Sequence, residues 1–175
     1  MDEYLAGFFG EEEFVTVLLV DVTEPTELRM VSAGHPGPQL ASQAGAVLLD
    51  LPPGLPLGLG LGNGLIGYAE AILPWHPGDR LLLYTDGLSE ARDSSGEFLQ
   101  VASLASQMRA GTVEQAVDET LAAAASHVPG GKLEDDLAVV LIENVPDEGE
   151  VRGVKTHEAG GTWSSRAAVG VEPLT

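Results

Sequence analysis

The chain has 175 residues, 44% of them hydrophobic, no cysteine and a formal net charge of −19. That length suits a single domain with an ordinary core, and the lack of thiols excludes disulfides, zinc–thiolate centres and cysteine nucleophiles. Only 8 residues are Lys or Arg, which argues against nucleic acid and anionic membrane surfaces as partners, since basic side chains carry both kinds of binding.

Residues 2–9 read as the last turns of a helix, with Tyr4, Leu5, Phe8 and Phe9 apolar and Gly10 as a stop. Phe14 to Val22 is β-branched and aromatic, a strand pattern. The turn Glu24-Pro25-Thr26 returns it as Leu28 to Ala33, giving a hairpin. A second, shorter hairpin is expected from Gln39-Leu40-Ala41 and Ala46 to Leu49, after the loop Gly34-His35-Pro36-Gly37-Pro38. Residues 52–64 form a Pro/Gly/Leu loop, followed by strands at Ile66 to Leu73 and Arg80 to Thr85. A helix is expected from Leu99 to Met108. Another begins after Thr112, where Gln115 completes a capping box, and runs to about His127. Leu137 to Ile142 is the last strand, and 145–175 shows no periodicity and reads as a flexible tail. Antiparallel strands followed by helices and a return strand predict an α+β layered fold. The acidic start Met1-Asp2-Glu3 carries no basic leader, and no apolar stretch is long enough to span a bilayer, so a cytoplasmic location is expected.

Two acidic punctuation marks stand out. Asp86-Gly87 closes the apolar run Leu81 to Thr85, and Asp135-Asp136 opens the run Leu137 to Ile142. Carboxylates at strand ends can converge on one rim of a sheet and hold a hard cation such as Mg²⁺ or Mn²⁺. Each pair taken alone reads first as a polar turn. Adjacent residues of a strand point to opposite faces, so only one of Asp135 and Asp136 could serve a shared ion. His35, beside Pro36, reads by itself as structural. His76, His127 and His157 lack metal-ligand spacing, Ser89 is not in a nucleophile elbow, and Gly54 to Gly60 lacks the Lys-Ser/Thr of a phosphate loop.

The ordered series is more specific than any member of it. It runs Phe14-Val15-Thr16, Val31-Ser32-Ala33-Gly34-His35-Pro36, Gly54-Leu55-Pro56-Leu57-Gly58, Pro77 to Ala91, Gly96-Glu97-Phe98 and Asp135-Asp136-Leu137-Ala138. From about residue 2 to residue 143 this resembles the C-terminal half of a PP2C-type (PPM) metal-dependent serine/threonine phosphatase, in the bacterial SpoIIE/RsbU-like branch. The resemblance implies part of an αββα sandwich over 1–144 and two Mg²⁺ or Mn²⁺ ions whose activated water attacks the phosphoserine or phosphothreonine phosphorus directly. It makes Asp86 and Asp135 metal ligands, with Gly87, Asp136 and His35 as neighbours of the site. The family's first metal motif, a Gly-Asp whose aspartate bridges both ions, is not in this chain. Val20-Asp21-Val22 lacks the glycines and matches a later strand.

The resemblance therefore implies a catalytic domain without its first strands and first helix, inactive by itself, in a parent that hydrolyses a phosphorylated regulator such as an anti-sigma-factor antagonist. An upstream sensor domain and self-association through open sheet edges are further expectations. The alternative is a non-catalytic, phosphatase-like interaction module.

Overall fold

The structure is a computed structural model, and it describes residues 13–59, 67–131, 137–145 and, as backbone only, 165–172. The helix expected at 2–9, the centre of the Pro/Gly/Leu loop and the pair Asp135-Asp136 lie outside the described residues. The chain divides into two compact units, one made of Met1–Gly37 with Asp50–Pro74 and the other of Pro38–Leu49 with Trp75–Thr175.

The first unit carries three antiparallel strands: β1 (Val17–Asp21), β2 (Glu27–Ala33) and β5 (Glu70–Pro74), in the order β1-β2-β5. The hairpin read from sequence is present, with Leu19 opposite Val31 and Asp21 opposite Arg29. Strand β2 alternates as a pleated strand must: Leu28, Met30 and Ser32 are buried while Arg29 and Val31 on the other face are half-buried. That second face keeps Leu19 and Ile72 exposed. Phe14 to Thr16 precede β1, and Val15 instead exchanges two backbone hydrogen bonds with Leu57, at 2.9 and 2.8 Å.

The second unit holds β3 (Gln39–Ser42), β4 (Gly45–Leu48), β6 (Arg80–Tyr84), β7 (Leu137–Asn144) and β8 (Ser165–Glu172), in the order β4-β3-β6-β7-β8, all pairs antiparallel. Two helices belong to it, α1 (Asp86–Ser89) and α2 (Val113–His127). Leu82 and Tyr84 of β6 and Leu137, Val139 and Leu141 of β7 pack with Val113, Ala116, Val117 and Ala124 of α2 in one buried cluster. The capping box on α2 is closed as expected: Gln115 N–H donates to Thr112 Oγ1 at 3.3 Å, and Thr112 N–H donates to Gln115 Oε1 at 2.9 Å.

Two elements differ from the sequence reading. Leu99 to Met108 is not one α-helix but two 3-10 turns, Val101–Ala105 and Gln107–Arg109. Arg80, buried at the start of β6, ties down the end of this segment. Its guanidinium donates to the carbonyls of Met108 (3.0 Å), Ala110 (3.3 Å) and Gly111 (2.7 Å) and pairs with Glu143 at 3.5 Å. The second difference is β8, which lies inside the segment read as a tail and pairs along the whole of β7, from Leu137↔Glu172 to Asn144↔Ser165. Val169 and Val171, two apart, are the residual strand pattern there. Among the described residues, no helix is long and apolar enough to cross a membrane.

Candidate functional site

The site is built on the end of β6. The ladder between β6 and β7 runs to Tyr84↔Val139, and one more step brings Thr85 beside Ala138. Thr85 N–H donates to the Ala138 carbonyl at 3.0 Å. The return bond, from Ala138 N–H, goes to Thr85 Oγ1 at 3.0 Å rather than to the Thr85 carbonyl. That carbonyl accepts Leu88 N–H at 3.0 Å instead, which starts a helical turn. The threonine side chain thus completes the sheet while its backbone begins α1.

Asp86 is the first residue of α1 and is exposed. Its Oδ1 accepts Gly87 N–H at 3.1 Å, and its carbonyl accepts from Glu90 N–H (2.7 Å) and Ser89 Oγ (3.2 Å). Gly87 and Leu88 are buried, and Leu88 joins the cluster beneath the sheet end. The Asp-Gly pair is therefore a one-turn helix, not a glycine turn: Gly87 does not adopt the left-handed backbone that marks Gly34, Gly78 or Gly96. An exposed carboxylate on a buried anchor suits a hard cation, which needs oxygen donors reachable from water.

Asp135 and Asp136 lie outside the described residues, and Leu137, next in the chain, opens β7 beside the Thr85 turn. His35 belongs to the first unit. Its Nδ1 is 3.1 Å from Thr16 Oγ1, and its carbonyl accepts Ser32 Oγ at 3.1 Å. The loop around it is tightly packed. A Cβ on Gly34, at φ +71°, would fall 2.5 Å from Pro56 Cγ, and one on Gly54 would fall 2.2 Å from the Ser32 carbonyl oxygen. Three separated sequence pieces, Phe14 to Thr16, Val31 to Pro36 and Gly54 to Gly58, thus meet in one place. Asp21 is committed elsewhere: its Oδ1 accepts Thr23 N–H at 2.9 Å and Thr23 Oγ1 at 2.7 Å, which hold its carboxyl below the usual aspartate range. Among the described residues, no three His, Asp or Glu side chains cluster as a metal site.

Over residues 1–144 the chain matches the family described as Stage II sporulation protein E (SpoIIE). It belongs to the SpoIIE family. Solved structures share the fold of this SpoIIE-family chain. The catalytic domain of the serine threonine protein phosphatase PstP, in complex with 2 manganese ions, superposes with a TM-score of 0.61 at 14% identity, covering 80% of this chain and 64% of that one. The Mycobacterium tuberculosis serine/threonine phosphatase PstP/Ppp gives 0.61 and 14%, covering 80% and 66%. The phosphatase domain of the cell fate determinant SpoIIE from Bacillus subtilis gives 0.52 and 13%, covering 83% and 71%. At these identities the likeness is one of fold, the α+β fold with antiparallel sheets of PP2C-type phosphatase domains. The chain spans just under two thirds of the two PstP structures. No curated protein matches it.

Sequence reasoning singled out Asp86 and passed over Thr85, whose role depends on which strand lies beside it.

Proposed function

We propose that these residues form the C-terminal part of a PP2C-type protein serine/threonine phosphatase domain. It hydrolyses phosphoserine or phosphothreonine on a phosphorylated regulatory protein, an anti-sigma-factor antagonist or similar, with Mg²⁺ or Mn²⁺. The observation that carries this reading is the Thr85–Ala138 junction, which sets Asp86 at the sheet end where β7 emerges from Asp135-Asp136. Asp86 and Asp135 are the metal ligands on this reading, with Gly87 and Asp136 as neighbours. The PstP structure with 2 manganese ions and the Bacillus subtilis SpoIIE domain presoaked with Mn support the choice of metal.

When bound, such ions supply an activated water and neutralise phosphate charge. The chain's own part is to hold carboxylate oxygens still. Leu88 pins α1 into the core, Gly87 N–H steadies one oxygen of Asp86, and Thr85 fixes both to β7. The bridging carboxylate of the resembled family is not among these 175 residues, so on this reading the chain by itself turns over poorly.

Calorimetry with Mn²⁺ and phosphate release from a phosphoserine peptide test this. The expected result is weak Mn²⁺ binding that Asp86→Asn and Asp135→Asn each abolish, with phosphate release at background. Mn²⁺ binding indifferent to both substitutions would sink the ligand assignment. Robust turnover by the 175-residue chain, lost in Asp86→Ala, would overturn the claim of inactivity. Partner-protein binding that needs neither metal nor either carboxylate would favour the interaction module.

A further inference from the structure

Among the described residues, the hairpin that follows α1 holds a cation without an acidic partner. Arg92 and Phe98 face each other across it. The Arg92 guanidinium lies 3.9 Å from the Phe98 ring centroid, and its Nη1 donates to the Gly96 carbonyl at 3.0 Å. Among the described residues, Arg29 pairs with Glu27 and Glu70, and Arg80 pairs with Glu143. Arg92 meets, among the described residues, a neutral carbonyl and a ring. Its use of Nη1 leaves the Nε–Nη2 edge open, and that edge is one that makes a bidentate pair with carboxylate or phosphate oxygens.

The neighbouring acid makes no ion pair with it. Asp93 Oδ1 is engaged by Ser95 N–H (2.8 Å), Ser95 Oγ (2.7 Å) and Glu97 N–H (3.0 Å), which build the turn and hold its carboxyl below the usual range. The guanidinium is therefore fixed by stacking on one side and by a preformed turn on the other, so little rotamer freedom remains to be lost on binding.

The hairpin is also well placed. Leu99 N–H donates to the Ala91 carbonyl at 2.8 Å, closing it directly behind α1. The Glu97 carbonyl lies 3.1 Å from His127 Nε2, at the C-terminal end of α2, from which the chain proceeds to the start of β7. The first tie closes the segment that follows Asp86, and the second fastens the hairpin to the end of α2. On a chain of net charge −19, a phosphate dianion meets a repulsive field, and a fixed cation at this point offsets it.

We propose that Arg92 is a substrate-binding residue: stacked on Phe98, it takes the phosphate of a phosphoserine or phosphothreonine segment through its open Nε–Nη2 edge. The assignment rests on the phosphatase reading above. Its test is fluorescence anisotropy of a phosphoserine peptide and its unphosphorylated twin on the purified 175-residue chain in Mn²⁺ buffer, with folding checked by circular dichroism. Wild type should prefer the phosphopeptide. Arg92→Gln should weaken that peptide roughly tenfold, as expected for loss of a charge-assisted pair, and leave the twin unchanged. Arg92→Lys should restore only part, because an ammonium cannot make the bidentate pair. Phe98→Leu, which keeps the charge and removes the stack, should fall between and still reports if Arg92→Gln does not fold. Absence of phospho-preference in wild type, unchanged phosphopeptide affinity in Arg92→Gln, or equal loss for both peptides would each overturn the proposal. Mn²⁺ titration of the same proteins separates the two readings. Asp86-dependent Mn²⁺ binding with an indifferent Arg92 leaves the phosphatase reading standing alone. Arg92-dependent phosphopeptide binding without any Mn²⁺ binding upholds this site and removes the catalytic reading.

Discussion

Thr85 and Ala138 hydrogen-bond to each other twice, once through the Thr85 backbone N–H and once through its Oγ1, both at 3.0 Å. The hydroxyl stands where a backbone carbonyl would stand in a regular ladder. That substitution lets the chain leave the sheet and begin α1 within one residue, and it places Asp86 at the turning point.

Thr85→Val keeps the shape and removes the acceptor. Ala138 N–H must then go unpaired or reclaim the Thr85 carbonyl and unwind α1, at a cost of about 1–3 kcal/mol. Urea unfolding should show that loss, and Thr85→Ser should recover most of it. If Thr85→Val matched wild type, the junction would have no energetic role.

Arg80 binds three carbonyls and Glu143 from a largely buried position. Arg80→Met leaves those acceptors and one carboxylate without their donor, costing roughly 3–5 kcal/mol by analogy with broken buried pairs. Arg80→Lys should recover little, since a point donor cannot span the fork. Thermal melts followed by circular dichroism measure both.

Gly34 and Gly78 both have positive φ, at +71° and +87°. Only at Gly34 would a Cβ collide, with Pro56, whereas at Gly78 nothing lies within 4 Å. Gly78→Ala should cost about 1–2 kcal/mol, from the left-handed backbone alone. Gly34→Ala should cost clearly more, and equal losses in chemical denaturation would contradict the packing of that loop.

The Asp93 carboxyl is held below its ordinary value by hydrogen bonds from Ser95 and Glu97. A depressed folded-state value means a contribution present above the unfolded pKa of about 3.9 and lost as pH falls through the folded value. The Ala91–Leu99 hairpin should therefore hold at neutral pH and loosen only below about pH 4. Carboxyl ¹³C chemical shifts, followed with the Ser95 and Glu97 amide signals, report both events, and loosening near neutral pH would contradict the assignment.

The elements legible in the sequence are those set by near neighbours. The β1–β2 and β3–β4 hairpins follow from turn residues between apolar runs, and α2 from Thr112 and Gln115 three residues apart. The expected helix at 99–108 is instead two 3-10 turns, and Arg80, distant in sequence, binds the carbonyls at and beyond its end, a tie that no local pattern records. Asp86 was singled out because it ends an apolar run. Thr85 was not, because its hydroxyl has a structural role only once β7 is known to lie beside β6.

Strand β8 carries one more consequence. It lies beyond residue 144, where the SpoIIE match ends, yet it pairs with every residue of β7. A fragment cut at the family boundary would turn β7 from an interior strand into a bare edge eight residues long. Its unpaired amides and carbonyls would then offer a template for a foreign strand. Such a fragment should precipitate at concentrations where the 175-residue chain stays clear, so the family boundary is a poor place to truncate this protein.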